Sequence, residues 1–160
     1  MKPYTLERTI VLPTDLETAW DFFSDPGNLP KITPPAMDFR ITSEPQDVTY
    51  AGQIITYTLR PMLGMTVAWT TEITHVSKPG FFVDEQRFGP YRFWHHQHFF
   101  RQVDGGVEVR DLVHYLLPHI QFSGLLNRLI IKPRLKRIFD YRIQALQKIF
   151  PHNETIRGDT

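Results

Sequence analysis

Between residues 53 and 117, turn sequences rich in glycine and proline divide the chain into consecutive stretches of β-type sequence. These stretches are rich in β-branched and aromatic residues, and apolar side chains alternate along several of them. Tight turns join neighbouring antiparallel strands, so the pattern predicts an antiparallel meander. Two earlier stretches are also predicted to be strands. The predicted strands are residues 4–12, 37–43, 53–60, 65–76, 81–88, 91–103 and 107–117.

Helical spacing appears on both sides of this run of strands. From Thr14 onward, apolar residues recur three and four positions apart, and Glu17 completes the pattern of a capping box. A short second helix is predicted at residues 26–32, because aspartate and then proline stand at its start. Residues 121–150 carry a long apolar stripe, in which Pro133 predicts a kink or a break.

An antiparallel sheet has one apolar face that another element must cover. One long helix can cover this face of a strongly curved sheet. If the sheet is deep, the helix does not fill the whole space between them, so an internal cavity is expected. We therefore predict an α+β fold in which a curved antiparallel sheet of about seven strands wraps around the C-terminal helix. Residues 1–150 form a single domain in this prediction, and residues 151–160 form a polar tail.

Length and composition place the chain among ordinary globular proteins. A chain of 160 residues suffices for one domain with a core. With 22% charged residues and a net charge of +1, it is neither fibrous nor disordered. No stretch approaches the about 18 consecutive apolar residues of a spanning helix, and the first residues lack a signal-peptide core. Without cysteine there is no disulfide or thiolate metal site, and we expect a cytoplasmic protein.

Strand alternation brings polar side chains to the face that the helix covers. The last predicted strand has Asp111 and Tyr115 in the same phase as its apolar residues. In the strand before it, His96 and His98 share one phase, although the other phase is nearly as apolar. If the corresponding face of the preceding strand also points inward, its polar residues join them. The predicted ligand-binding residues are Trp69, Asp84, Gln86, Trp94, His96, His98, Asp111 and Tyr115.

Three interpretations of these polar groups remain open. They form a structural network, since buried carboxylates and imidazoles satisfy one another. They orient a mostly apolar ligand, as polar groups in small-molecule sites commonly do. Alternatively, they catalyse proton transfer, with His96 or His98 as the base and Asp111 or Asp84 as the residue that orients it. The predicted catalytic residues under this last interpretation are His96, His98 and Asp111.

The His-x-His spacing of His96 and His98 also has a metal-binding interpretation. Both imidazoles project from the same face of a strand, and Asp84 or Asp111 would be the third ligand of a zinc, copper or iron site. A pair of hydrogen-bonded histidines explains the same spacing without a metal. We therefore expect no bound metal and no cofactor.

The C-terminal helix is strongly basic. Residues 121–150 carry seven lysine and arginine side chains against Asp140 alone. Such charge is typical of the solvated face of a packed helix, but it is also typical of a helix that docks on anionic lipid. No nucleic-acid recognition motif accompanies the charge, so nucleic acid is not an expected partner. The basic residues are Arg128, Lys132, Arg134, Lys136, Arg137, Arg142 and Lys148.

Four segments, taken in order and with their spacing, resemble a known family. They are residues 13–23 in the first helix, 104–109 at the last hairpin, 115–118, and 138–142 in the terminal helix. The chain resembles the START-like, helix-grip or SRPBCC superfamily, which includes polyketide cyclases, aromatases and lipid or steroid carriers. The resemblance covers nearly the whole chain.

The resemblance implies the fold strongly and the function weakly. Residues 84–100 are similar to a bacterial subgroup whose members mostly lack an assigned activity. The main expectation is a cavity that binds, and in one version transports, a hydrophobic or aromatic small molecule such as a lipid or a polyketide-like compound. The alternatives are a cyclase or dehydratase that uses a His–Asp pair, and an interaction module without a ligand. We expect a monomer or weak dimer that contacts membrane surfaces transiently through the basic helix.

Overall fold

The computed structural model describes residues 2–44, 48–62, 65–118 and 123–151 of the chain. The strands are β1 (Tyr4–Leu12), β2 (Arg40–Ile41), β3 (Ile54–Met62), β4 (Met65–Ser77), β5 (Phe81–Phe88), β6 (Phe93–Val103) and β7 (Gly106–Leu116). Helix α1 (Leu16–Ser24) and two 3-10 segments (Pro26–Ile32 and Pro35–Met37) lie between β1 and β2. The C-terminal helix consists of α2 (Ser123–Leu126), a π-helical turn (Asn127–Ile131) and α3 (Lys132–Ile149).

The seven strands form one antiparallel sheet in the order β1-β7-β6-β5-β4-β3-β2. Strands β2 to β7 form the predicted meander, and β1 pairs with the far edge, β7, in a register that sets Tyr4 opposite Tyr115. The curved sheet with its long C-terminal helix confirms the predicted α+β helix-grip architecture. Among the described residues, no helix combines the length and apolarity needed to cross a bilayer.

The ends of several elements differ from the sequence-based prediction. Asp15, and not Thr14, caps α1: its carboxylate accepts a hydrogen bond from the Thr18 amide at 2.8 Å, so the predicted capping box is wrong. The predicted strand at residues 37–43 is reduced to the two residues of β2, because a 3-10 turn occupies its start. At Pro133 the helical backbone continues without a break, but the expected boundary between a short and a longer helix lies beside it, because α2 and the irregular π turn precede α3 and Pro133 lies in the first turn of α3.

Two apolar clusters fill the space between the sheet and the helices. The first lies where α1 packs on β6 and β7, around Trp20, Phe100 and Val109. The second lies under the C-terminal helix and includes Trp94 and Phe139. The expected inward phase of β6 is confirmed, because its buried residues alternate from Trp94 to Phe100 through both histidines. The clusters leave a cavity between the sheet and α3.

The helices that cover the sheet bring further residues to this cavity. The first 3-10 segment contributes Leu29 and Ile32, and α3 contributes Leu135, Phe139 and Arg142. The tail predicted at residues 151–160 falls, apart from its first residue, outside the described residues.

Candidate functional site

The cavity between the sheet and α3 has a volume of about 210 Å³. That volume is enough for a small organic molecule or several waters. Six large aromatic side chains line much of it, and they come from strands β3 to β6, the turn before β6, and α3. These side chains are Tyr57, Trp69, Phe82, Tyr91, Trp94 and Phe139.

Four of these rings, Tyr57, Trp69, Tyr91 and Trp94, pack against one another and form an aromatic wall of the cavity. The rings of Trp69 and Trp94 meet edge to face with centroids 5.3 Å apart, and Tyr91 lies 4.9 Å from Trp94. The buried hydroxyl of Thr71 accepts a hydrogen bond from the Trp69 indole nitrogen at 3.1 Å and bonds the Tyr57 hydroxyl at 3.0 Å. Because the Thr71 hydroxyl bonds both the Trp69 indole nitrogen and the Tyr57 hydroxyl, these two rings present apolar surface to the cavity.

Strand register brings two aspartates and two histidines together beside this wall. Asp84 on β5 lies opposite His96 on β6, and His98 on β6 lies opposite Asp111 on β7. All four side chains lie on the covered face of the sheet, because alternate residues of a strand share a face. Cross-strand pairing therefore places each carboxylate within reach of both imidazoles.

Each imidazole contacts both carboxylates, one through each ring nitrogen. The closest contact joins His98 Nε2 to Asp84 Oδ2 at 2.8 Å, and His98 Nδ1 lies 3.0 Å from Asp111 Oδ1. His96 Nδ1 lies 3.2 Å from Asp84 Oδ2, and His96 Nε2 lies 3.2 Å from Asp111 Oδ1. The centroids of the two rings lie 3.8 Å apart. We call these four residues the His–Asp cluster.

Arg142 adds a positive charge from α3. Its Nε lies 3.4 Å from Asp111 Oδ2, and its guanidinium lies over the rings of Phe23 and Phe139 at 5.3 and 5.9 Å. With Arg142 and the two carboxylates ionised and both imidazoles neutral, the buried group carries a net charge of −1. The burial of Asp111 behind the histidines depends on this charge compensation.

The charges of the cluster shift its pKa values in opposite directions. Burial raises the pKa of Asp84, but the charge and hydrogen bond of His96 and the hydrogen bond of His98 outweigh it and hold the pKa below the usual range. For Asp111, burial is likewise outweighed, chiefly by the charge of Arg142, and its pKa is also lowered. Burial lowers the pKa of His96, but the two carboxylates reverse this effect and raise it.

One subset of the cluster has the donor set of a metal site. One ligand atom each from Asp84, His96 and His98 can be chosen so that the three atoms lie within 4.8 Å of one another. Two imidazoles and a carboxylate suit zinc and iron, among other first-row cations.

Solved structures with the same architecture cover almost the whole chain. Protein Ms6760 from Mycobacterium smegmatis is 19% identical, with a TM-score of 0.67 over 91% of this chain and 89% of that one. The protein TTHA0849 from Thermus thermophilus is 14% identical, with a TM-score of 0.71 over 91% and 95%. Ginseng major latex-like protein 151 from Panax ginseng is 9% identical, with a TM-score of 0.69 over 94% and 99%.

The chain has the helix-grip fold of the START-like, or SRPBCC, superfamily. Identities this low establish the fold alone. A scan against protein-family models gave no match, and neither did a search of the curated proteins.

Within this helix-grip fold, most of the predicted site residues meet at the cavity. Five of them line it: Trp69, Asp84, Trp94, His96 and His98. Asp111 lies behind the histidines, as described above. Tyr115 is buried beside the C-terminal helix, where its hydroxyl donates to Asn127 Oδ1 at 2.9 Å.

Gln86 lies apart from the cavity lining that the structure describes. Its amide nitrogen donates to the Tyr91 carbonyl at 2.6 Å, and its amide oxygen accepts from the Tyr91 backbone at 3.2 Å, within the turn between β5 and β6. Gln86 pairs with Thr71 across β4 and β5, so alternation does carry the inward face to it, but the Tyr91 backbone occupies its amide at the end of the strand.

Sequence reasoning missed several residues of the site, among them Tyr57, Thr71 and Arg142. Tyr57 and Thr71 lie on predicted strands, and alternation along β3 and β4 would have placed them beside Trp69. Arg142 was counted only among the basic residues of the terminal helix. It lies three residues after Phe139, on the apolar stripe, and a charged residue at such a position indicates a buried partner.

Proposed function

We propose that this protein binds a hydrophobic or aromatic small molecule, such as a lipid or polyketide-like compound, in the cavity between the sheet and α3. The cavity of about 210 Å³, which has an aromatic wall beside one buried polar cluster, carries this proposal. Binding sites for small molecules commonly combine apolar walls with a few converging polar groups. Burial against the aromatic wall supplies about 25 cal/mol for each Å² of apolar ligand surface.

The polar end of the ligand contacts Asp84, His96 or His98 in this proposal. These side chains line the cavity, whereas Asp111 lies behind them and holds them in place. Such an arrangement favours a ligand that is mostly apolar with one oxygen- or nitrogen-bearing end. An uncharged alkane would bind less well, because it would leave the polar groups of the cluster unsatisfied.

Two neighbouring residues of β3 offer a matched test of where the ligand binds. Ile55 is buried and lines the cavity, while Ile54 is 46% exposed on the opposite face. Tryptophan at position 55 fills part of the cavity, so we expect Ile55→Trp to weaken binding about tenfold or more. Ile54→Trp should bind like the unchanged protein.

Binding is measured by the fluorescence of anilinonaphthalene sulfonate and by displacement of this probe with fatty acids and aromatic acids. Circular dichroism establishes that both variants are folded. Native mass spectrometry of protein purified without added ligand then gives the mass of any retained organic molecule. Equal affinities of the two variants for the probe would contradict the proposal, as would an unchanged protein that binds none of these compounds.

A second candidate function is a cyclase- or dehydratase-like reaction. The 2.8 Å contact between His98 and Asp84 at the cavity surface favours it, because the imidazole and the carboxylate can share a proton that Asp84, which lines the cavity, would exchange with a substrate. For an enzyme, His98→Gln should lower turnover of the retained molecule by a factor on the order of 10²–10⁴ while binding persists. For a binding protein, the same change alters affinity modestly and there is no turnover to lose.

Contact with a membrane surface is part of the proposed function. Leu125, Leu129 and Ile130 at the start of the C-terminal helix are exposed, although they are large and apolar. Two basic residues, Arg128 and Lys132, lie among them in the sequence, and both are exposed. We propose that this surface contacts anionic lipid transiently, which would bring the cavity to a source of apolar ligand.

A further inference from the structure

The His–Asp cluster has more nitrogen–oxygen contacts than two neutral histidines have protons. Its four ring nitrogens each lie 2.8–3.2 Å from a carboxylate oxygen. A neutral imidazole carries one N–H and one lone pair, so two neutral rings leave two lone pairs facing carboxylates. The buried His98 Nδ1 makes no hydrogen bond with any described residue, although it lies 3.0 Å from Asp111. These contacts therefore favour additional positive charge at the cluster.

We propose that Asp84, His96 and His98 bind one divalent transition-metal cation, such as Zn²⁺, on the cavity side of the cluster. A divalent cation supplies the same charge as the two missing protons. The metal takes one nitrogen from each ring and leaves the other nitrogen protonated, so every contact of the cluster is then satisfied. The site goes beyond the proposed binding function, because its existence does not depend on which ligand occupies the cavity.

The distances between the ligand atoms suit such an ion. Zinc ligands at about 2.0 Å in tetrahedral geometry lie about 3.3 Å from one another. The Asp84 oxygen lies 2.8 Å from His98 Nε2 and 3.2 Å from His96 Nδ1, and the three ligand atoms lie within 4.8 Å of one another. Small side-chain adjustments therefore give the required spacing.

Asp111 has the position of a carboxylate that orients metal ligands. Histidines that bind metals usually donate their second N–H to a carboxylate or carbonyl. When the metal occupies the Asp84 side, the free nitrogens are His96 Nε2 and His98 Nδ1, and these lie 3.2 and 3.0 Å from Asp111 Oδ1. Arg142 lies beside the other oxygen of Asp111 and balances its charge.

Three protein ligands leave one coordination position free in a tetrahedral site. Asp84 and both histidines line the cavity, so this position faces the space where the ligand binds in the proposed function. A carboxylate, carbonyl or hydroxyl oxygen at the polar end of the ligand would occupy it. Metal binding itself is tested without any organic ligand.

The test is a titration of chelator-treated protein with Co²⁺ and with Zn²⁺. We expect one Co²⁺ per chain, with visible absorption bands of low-coordinate Co²⁺ that Zn²⁺ abolishes. Asp84→Asn and His98→Phe should remove this binding, and Asp111→Asn should weaken it about 10–100-fold. His95→Gln is the matched control, because His95 bonds Glu85 on the opposite face and should not affect binding.

Nuclear magnetic resonance of the unchanged protein locates the metal if a variant fails to fold. Phe82 and Phe139 contact His98 and His96, at centroid distances of 4.1 and 5.6 Å, so bound Co²⁺ should shift their ring signals. Binding at surface histidines would instead shift Phe93, which stacks on His95.

No Co²⁺ binding by the unchanged protein would overturn the proposal. Undiminished binding by folded Asp84→Asn or His98→Phe would also overturn it, as would a shift confined to Phe93. The proposed function is tested separately, because binding of the fluorescent probe is measured on metal-free protein.

Discussion

At the scale of single residues, one position along a strand decides the role of a histidine. His95 lies on the outer face and bonds Glu85 at 2.7 Å, whereas His96 and His98 on either side of Gln97 are buried. The sequence alone predicted that His96 and His98 share a face, because alternation has a period of two. It also predicted that this face points inward, although the other face of β6 is nearly as rich in aromatic residues.

The charge of Asp111 is balanced by a residue that lies far from it in the sequence. Arg142, near the middle of α3, reaches Asp111 only because this helix crosses the sheet. Pairing along strands was predictable from alternation and the turns. The position of a helical side chain over the sheet was not predictable, because it depends on the packing of two elements and on the π turn that precedes α3.

Asp111→Asn should destabilise the metal-free protein. The change keeps the shape of the side chain but leaves Arg142 buried without its counter-charge, and breaking such a pair costs about 3–5 kcal/mol of unfolding free energy. Asp140→Asn is the control, because Asp140 is 45% exposed and pairs with Arg8 near the surface. That change should cost less than about 1 kcal/mol. Urea unfolding in the presence of a chelator measures both values, and equal losses would contradict a buried charge pair.

At the scale of secondary-structure elements, turn chemistry was the most reliable guide. The strands from β3 to β7 agree with the predicted stretches to within a few residues, because glycine and proline mark their ends. Residues 35–43 were less predictable: their apolar and β-branched residues suggested a strand, but consecutive prolines favour a 3-10 turn over strand pairing at its start. The cap of α1 was misplaced by one residue, since Thr14 and Asp15 are both good capping residues.

Gly106 holds the β6–β7 hairpin against the end of β1. Its φ is +140°, and a Cβ atom there would lie 1.9 Å from the Leu12 carbonyl oxygen. Because that oxygen belongs to the backbone of the neighbouring strand, Gly106→Ala must displace β1 or the hairpin. We expect a loss of about 2–4 kcal/mol in unfolding free energy.

Gly80→Ala is the matched control for this prediction. A Cβ atom at Gly80, in the turn before β5, meets nothing closer than 3.8 Å. Gly80→Ala should therefore lower the free energy of unfolding much less than Gly106→Ala does. Thermal unfolding of the two variants measures the difference. If Gly106→Ala melts at the same temperature as Gly80→Ala, the close approach of β1 to the hairpin is not rigid.

At the scale of the whole molecule, the helix-grip fold follows from the order of its elements, but the cavity does not. The sequence predicted a sheet with one long helix, and the need to cover one face determined how they pack. The side chains that line the cavity come from most of the elements, so their meeting point depends on the curvature of the sheet. Alternation indicates which residues face inward, but it does not indicate which of them meet.

In the proposed function, the start of the C-terminal helix contacts anionic lipid. Leu125, Leu129 and Ile130 are 56%, 63% and 44% exposed, and Arg128 and Lys132 are exposed among them. An apolar side chain that enters the interface gains free energy by burial, and each basic residue near an anionic surface adds about 1 kcal/mol. We therefore expect sedimentation with phosphatidylglycerol vesicles to exceed sedimentation with phosphatidylcholine vesicles, and to weaken as salt is added.

Leu129→Ser should reduce this binding, because it removes the most exposed apolar side chain of the surface. Phe88→Ser is the matched control: Phe88 is 74% exposed at the end of β5, so the change removes as large an exposed apolar group from another element. Lys132→Ala should lower the affinity for phosphatidylglycerol vesicles about fivefold and leave the affinity for phosphatidylcholine unchanged. If the Leu129→Ser and Phe88→Ser proteins sediment equally with the anionic vesicles, this surface does not dock on lipid. The basic residues of the C-terminal helix then only keep its outer face in water, and ligands reach the cavity from solution.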